Sequence, residues 1–345
     1  PRELVNKSFS WPLMKDCITA EDKKSMVDFI QKSERLTNGP MVKKFEQEWS
    51  KWLGCKYSLF VSSGSTANLL LVAAIKEKYK LKEGDKVIVP AITWVTNISP
   101  VIQLGLQPIF CDIDPKTFSF DLNNLKQIAK DHPDIKMAFV THLFGIPADI
   151  DSYKEIFPNA LFIEDVCESH GATYKNNKCG TLSEGSTFSS YFGHHMTTVE
   201  GGFVCTNDTE LYNLMKIKRS HGMAREALPE KFEEYKAKYP DIHPQFMFVT
   251  DGYNLRSMEI NAVLGLSQLK RLDDNNKKRK ENFIRFIDLV SKHPQHFITD
   301  YQIEGNSSFC LPFICKSKSF KTKLETHLNQ YKVETRRNKL PLHRG

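Results

Sequence analysis

Two adjacent imidazoles, His194 and His195, are the groups in this chain best suited to moving a proton near neutral pH. They lie in Ser189-Ser190-Tyr191-Phe192-Gly193-His194-His195-Met196-Thr197-Thr198-Val199-Glu200-Gly201-Gly202. That stretch reads as a strand leaving a core at Thr187 and Phe188, then a polar turn, then a Gly-Gly corner feeding a second strand, Phe203-Val204-Cys205-Thr206. Imidazole has an unperturbed pKa of about 6.5, and a polar corner between two buried strands is a place where a scaffold carries chemistry. Without context the same pair reads as ordinary corner polarity.

Three further stretches supply chemistry of other kinds. Leu161-Phe162-Ile163-Glu164-Asp165 is an apolar strand ending in two carboxylates, and ligands of parallel sheets sit at the carboxyl ends of strands. Asp165 is placed for function on that ground, although a capping Asp would look the same. Ser62-Ser63-Gly64-Ser65-Thr66 joins a strand, 57–61, to an apolar helix from 67 to about 78. A small-residue turn before a helix start offers free backbone N–H groups at the positive end of a dipole, which suits a phosphate; it is also an ordinary capped turn. Trp94 follows the strand 85–89 and Pro90, and in isolation reads as core.

Together these segments resemble the sugar-nucleotide aminotransferases (DegT/DnrJ/StrS type), a family of fold-type-I pyridoxal phosphate enzymes. The family's lysine turn has the pattern Ser-Phe-x-x-x-Lys-x-x-x-x-Gly-Glu-Gly-Gly. Aligning Glu200-Gly201-Gly202 with its end puts Ser189 on the phosphate-binding Ser and His194 on the lysine that holds the cofactor. Imidazole cannot make that covalent link. Lysine replaced by His-His-Met also resembles a small branch of the family, the 3-dehydratases that use pyridoxamine phosphate.

The resemblance implies roles for other positions. The phosphate cup would be Gly64, Ser65 and Thr66 with Ser189; Trp94 would lie flat on the pyridine ring; Asp165 would keep the ring nitrogen protonated. The intervals of 24 positions from Asp165 to Ser189 and 29 to His194 are similar to those of family members. Glu168 falls where the family places a polar side chain near the ring hydroxyl, although it also reads as a solvent-facing residue. Gly252-Tyr253-Asn254-Leu255-Arg256 resembles Gly-Tyr-Asn-x-Arg, whose Asn reaches the phosphate of the neighbouring subunit, so a homodimer with shared sites is implied through Asn254. Taken by itself, Asn254 is only an N-cap-like residue. The branch resemblance implies GDP-4-keto-6-deoxymannose as substrate, glutamate as amino donor, and a 4-keto-3,6-dideoxy sugar with ammonia as products. An aminotransferase working without a lysine, and a catalytically inactive relative, are the alternatives.

The elements that must position these residues alternate. A strand (108–113), a helix (121–130), a strand (137–143), a helix (149–156) and the strand 161–165 give the βαβ rhythm of a largely parallel sheet covered on both faces. The expected fold is α/β, of the fold-type-I (aspartate aminotransferase-like) class that the resemblance implies. Its parts would be an N-terminal arm (1–37, helical over 20–35), a large cofactor-binding domain (38–271) and a small C-terminal α+β domain (272–345). The small domain is expected to hold a long helix over 272–292, a strand near 308–314 and a helix over 320–331. Residues 225–251 read as an irregular insertion that either lines the sugar-nucleotide pocket or is a solvated loop. The chain opens without Met, Arg337 stands where the family has Pro, and the tail to Gly345 looks unlike the family, so the small domain reads as incomplete.

Composition narrows the function classes. The 345 residues are 40% hydrophobic and 26% charged, as in ordinary globular chains. No apolar run approaches the roughly 20 residues of a membrane span, and the opening lacks the shape of a signal peptide, so a cytoplasmic location is expected. Eight cysteines are scattered singly, against a zinc site or a disulfide framework. The same scatter distinguishes the chain from CDP-sugar 3-dehydrases, which carry a cysteine-ligated iron–sulfur cluster. Net charge is +7, and the densest basic run, Lys277-Lys278-Arg279-Lys280, lies on a helix and reads as a solvated face rather than a nucleic-acid patch.

Overall fold

The computed structural model describes residues 10–336; residues 1–9 and 337–345, with Arg337 and the tail, lie outside it. Helix α1 (Ala20–Lys32) is started by a Thr19/Asp22 capping box. Helix α2 (Pro40–Leu53) takes Pro at its first turn and ends on Gly54 at φ +88°. Strand β1 (Tyr57–Val61), helix α3 (Gly64–Lys78), strand β2 (Lys86–Pro90), helix α4 (Ser99–Gln103) and strand β3 (Gln107–Cys111) follow. Next come α5 (Leu122–Asp131), β4 (Met137–Thr141), α6 (Ile150–Ile156), β5 (Leu161–Asp165) and a small ribbon of β6 (Thr173–Tyr174) and β7 (Asn177–Lys178). The sheet is completed by β8 (Gly185–Ser189) and β9 (Gly202–Thr206), after which the chain is helical through α7 (Thr209–Arg219), α8 (Pro229–Lys238), α9 (Glu259–Leu269) and α10 (Leu272–Val290). A short ribbon, β10 (Phe297–Ile298) with β11 (Ile314–Cys315), and helix α11 (Lys318–Gln330) close the described chain.

Seven strands form one sheet in the order β1-β9-β8-β5-β4-β2-β3. The pairs β8–β5, β5–β4, β4–β2 and β2–β3 are parallel, while β9 runs antiparallel to both its neighbours. Both faces are buried, and successive residues go to opposite cores. Val87 and Val89 join Phe139 and Ile163 under α3 and α7, whereas Ile88 joins Ala138, Val140 and Phe162 under α5 and α6. A third cluster packs Phe45 and Trp49 of α2 on Phe60, Phe188 and Phe203, with Trp49 stacked 4.4 Å from Phe203. The α/β class and the mostly parallel sheet are thus as the alternation implies. No helix among the described residues is long and apolar enough to cross a membrane.

Three local expectations change. Residues 64–66 are the first turn of α3 rather than a turn before it, because Ser63 is the N-cap and makes a capping box with Thr66. The 225–251 segment contains α8, which buries no residue and so carried no strong periodicity. The strand expected near 308–314 is reduced to Ile314–Cys315; the preceding residues leave the strand path, with Ser307 N–H donating to Gly145 and Phe309 N–H to Phe144.

Candidate functional site

Parallel order puts the carboxyl ends of β1, β2, β4, β5 and β8 on one side of the sheet, and every residue singled out from sequence except Asn254 lies at or follows one of those ends. Asp165 closes β5 and is 4% exposed. Its Oδ2 accepts from Asn97 Nδ2 at 2.7 Å and Asn68 Nδ2 at 3.1 Å, and its Oδ1 accepts from Cys167 N–H at 2.9 Å. The amides are held in turn: Thr187 Oγ1 donates to Asn68 Oδ1 at 2.6 Å, and Thr93 hydrogen-bonds Asn97. No Lys or Arg among the described residues pairs with Asp165, so a nearly buried carboxylate is satisfied by dipoles alone and remains suited to a cationic partner. The neighbouring carboxylate, Glu164, points to the other face, where it accepts from Leu182 N–H, Ser183 Oγ and His142 Nε2. His142 Nδ1 meanwhile accepts from Ala148 N–H at 2.9 Å, which fixes a neutral ring whose Nε2–H serves Glu164.

The start of α3 lies against the end of β8. A Cβ built on Gly64 would fall 2.6 Å from Ser189 Cβ, and one on Gly202 would fall 2.6 Å from the Ser63 carbonyl. Only glycine permits either approach. Thr66 commits its backbone N–H and its hydroxyl to the Ser63 cap, at 3.1 and 2.9 Å. That leaves the Gly64 and Ser65 amides, the exposed Ser65 and the Ser189 hydroxyl to face an anion at the helix start.

The corner between β8 and β9 is tied by Thr198 N–H to Ser190 O (2.8 Å), Ser190 N–H to Gly201 O (2.9 Å), and Asn261 Nδ2 to Thr198 O (2.6 Å). Val199 is held there at φ +68°, a conformation that β-branched residues resist. This turn presents His194 toward Asp165 and packs His195 inward. Burial holds the His194 imidazole well below its ordinary range, at about 4, against the pull of Asp165 and the Cys167 backbone; its Nδ1 has no hydrogen-bond partner. His195 is buried more deeply and lowered by the same cause, with Nε2 3.4 Å from Ser307 Oγ. His170, which sequence reading passed over, stacks behind both rings, at 6.2 and 5.2 Å between centroids.

Trp94 is 54% exposed, so the core reading of it does not hold; the Arg336 guanidinium lies 5.5 Å over its ring. Glu168 is not the solvent-facing residue of the second reading. Burial and Asp165 push its carboxyl up to about 7, while Phe144 N–H, donating at 3.2 Å, and Arg336 oppose the shift. Asn254 stands apart from these residues: it is exposed, its Oδ1 accepts from Arg256 Nε at 3.1 Å, and it hydrogen-bonds none of the cup residues of its own chain.

A family model described as the DegT/DnrJ/EryC1/StrS aminotransferase family matches residues 17–344. The chain belongs to this family. The match takes in the tail that sequence reading set apart as unlike the family. Among curated members, a GDP-4-keto-6-deoxy-D-mannose 3-dehydratase of Escherichia coli O55:H7 is 37% identical over 318 residues, covering 90% of this chain and 81% of the relative. One of the same name from Yersinia pseudotuberculosis is 40% identical over 311 residues, covering 88% and 78%. A solved GDP-4-keto-6-deoxymannose-3-dehydratase with a trapped PLP-glutamate geminal diamine superposes with a TM-score of 0.87 at 34% identity, over 94% of this chain and 85% of that one.

Within this DegT/DnrJ/EryC1/StrS architecture, sequence reading missed Asn68, Asn97, Thr187, His170 and Phe309. Asn68 had a readable signal, a polar residue within the apolar start of α3. Phe309, whose ring lies 5.4 Å from His194, had none, since 115 positions of chain separate two residues that only folding brings together.

Proposed function

We propose that this chain is a pyridoxamine phosphate-dependent 3-dehydratase acting on a nucleotide-linked 4-keto-6-deoxy sugar, GDP-4-keto-6-deoxy-D-mannose. The carrying observation is an imidazole, His194, beside a buried, cation-free carboxylate and a glycine-lined helix start, at the place where the family's lysine would be. Among described residues the one buried lysine, Lys218, is engaged elsewhere with Glu77 and Asp251. The names of the two relatives at 37% and 40% identity support the same substrate.

When bound, the cofactor supplies an amine for the 4-keto group and a ring that stores electrons. The chain does the rest. Gly64 and Ser65 amides with Ser189 would hold the phosphate at the α3 dipole, Trp94 would stack on the ring, and Asp165 would keep the ring nitrogen protonated. Glu168, its carboxyl pushed up to about 7 and so partly protonated near neutrality, would be suited to hydrogen-bond the ring hydroxyl. His194 would take the proton from the cofactor's aminomethyl carbon and return it to the departing 3-hydroxyl, which would leave as water. Burial lowers its basicity, and negative charge from a bound phosphate and diphosphate would act to raise it. Hydrolysis would leave a 4-keto-3,6-dideoxy sugar and ammonia, and glutamate, leaving as 2-oxoglutarate, would be the donor that re-aminates the cofactor. Asn254, exposed and unused by its own cup, serves the phosphate of a partner copy in a homodimer. A nucleotide-sugar substrate fits a cytoplasmic enzyme.

The test is mass analysis of the product from GDP-4-keto-6-deoxymannose with chain, cofactor and glutamate. Ammonia with a deoxygenated ketosugar supports the reading; an aminosugar would make the chain an aminotransferase, and no turnover an inactive relative. His194→Asn should stop dehydration while the cofactor still binds.

A further inference from the structure

The His194 ring is walled on its inner side by groups that come from a distant part of the chain. Phe309 lies 5.4 Å from His194 and 5.9 Å from His195, tilted by 31° and 34°. Ser307 Oγ meets His195 Nε2 at 3.4 Å, and His170 stacks on both histidines at 13° and 23°. The 306–309 segment is itself fixed. Ser307 N–H donates to Gly145 O at 2.9 Å and Phe309 N–H to Phe144 O at 3.0 Å, while Arg279 of α10 donates to Phe309 O at 3.2 Å. Gly145, at φ +89°, has no room for a Cβ because the Ser308 backbone lies against it. Phe144 in turn donates its N–H to Glu168.

We propose that Phe309 and Ser307 are positioning residues for the His194–His195 pair, so that the seating of the 306–309 segment on the loop at Phe144 and Gly145 sets the aim and dryness of the His194 imidazole. The reasoning is steric and electrostatic. The tie at Ser307 fixes the His195 ring, and because His195 is the next residue along the chain, its seat fixes the turn carrying His194. Phe309 supplies low-polarity surface where water would otherwise reach the ring. The titratable and charged groups facing this cluster are Asp165, Cys167, His170, Arg279 and Tyr191; Asp165 favours the protonated ring and Arg279 disfavours it. A consequence is that one backbone loop couples the wall behind His194 to Glu168, since Phe144 hydrogen-bonds both Glu168 and Phe309. This rests on His194 being the base, but its test does not need turnover.

The experiment is an imidazole NMR titration of the whole chain, histidine-labelled and without ligand, with His194→Asn assigning the resonance. Wild-type His194 should stay neutral to below pH 5. Phe309→Ala should raise its midpoint by about one pH unit or more toward the solvent value of about 6.5, and Phe309→Leu, which keeps bulk, should stay within about half a unit of wild type. Ser307→Ala should redistribute the two ring-nitrogen signals of His195. In turnover assays Phe309→Ala should lower kcat about tenfold with KM for the nucleotide sugar within about twofold, and Phe309→Leu should restore most of it. An unchanged His194 midpoint in folded Phe309→Ala, or a wild-type ring titrating near 6.5, overturns the proposal. If the alanine chain does not fold, Phe309→Val takes its place under the same criterion. Absent wild-type turnover would count against the dehydratase reading alone, because the titration still judges the positioning.

Discussion

Asp165→Asn separates a carboxylate kept for a cationic ligand from one that merely caps a turn. In the unliganded chain Asp165 accepts three N–H bonds, from Asn97, Asn68 and Cys167. An asparagine can keep Oδ1 on the two amides, but its Nδ2 then meets the Cys167 N–H, so one bond is lost, at about 1–3 kcal/mol. Against this, a charge in a 4%-exposed position with no counter-cation is removed, and relief of the part of its desolvation that the three N–H bonds leave uncompensated is of similar size. The two nearly cancel, so the unliganded variant should melt within a few degrees of wild type. Cofactor affinity should behave differently. Losing a buried carboxylate–pyridinium pair costs about 3 kcal/mol, or roughly 100-fold in Kd. The assay pairs thermal unfolding of the unliganded chain with a pyridoxamine phosphate titration followed by absorbance. A variant destabilised by more than about 3 kcal/mol with unchanged cofactor affinity would refute the reasoning and return Asp165 to a capping role.

Other outcomes follow from the same geometry. Because burial keeps the folded His194 pKa below that of the unfolded chain, the unfolded state takes up protons first as pH falls, and stability present above about 6.5 is lost toward 4. His194 alone should remove about 1.5 kcal/mol between pH 6.5 and 5, with His170 and His195 acting in the same direction, as read by urea unfolding at the two pH values. At Val199, φ +68° penalises any Cβ, so Val199→Gly should be about 1 kcal/mol more stable than Val199→Ala in denaturant titrations; equal stability would mean the turn relaxes. Gly64→Ala should overpack the contact with Ser189 and weaken phosphate-dependent cofactor binding about tenfold or more, measured as Kd, with a smaller effect on a phosphate-free pyridoxamine.

The alternation of strands and helices was legible because each element buries a patterned face, and period-2 and period-3.6 patterns are local properties of the chain. The stretch at Gly64 was legible from its residues only as a helix start, which an ordinary capped turn also explains; its pairing with Ser189 came from the family resemblance, and the close approach of the two is a property of the fold. Helix α8 was not, because it buries nothing and leaves no periodic trace. The 306–309 segment misled for a related reason: its apolar residues serve a contact with Phe144 and Gly145 rather than a strand pairing. The neighbouring residues Glu164 and Asp165 show the limit within a single strand. Alternation sends them to opposite faces, but which face holds the site depended on where β8 and α3 came to lie.

What the sequence determined by itself was the inventory and its order: an imidazole pair at a corner between two strands, a carboxylate at a strand end, and a glycine-bounded helix start, fixed by residue type and spacing, while the family resemblance supplied their implied roles. What only the tertiary structure decided was which of two adjacent histidines faces the carboxylate, that Trp94 is exposed, and that Phe309 and His170 lie against the His194 ring. Those facts depend on packing between residues far apart in the chain, and no local pattern records a contact whose two sides are chosen independently.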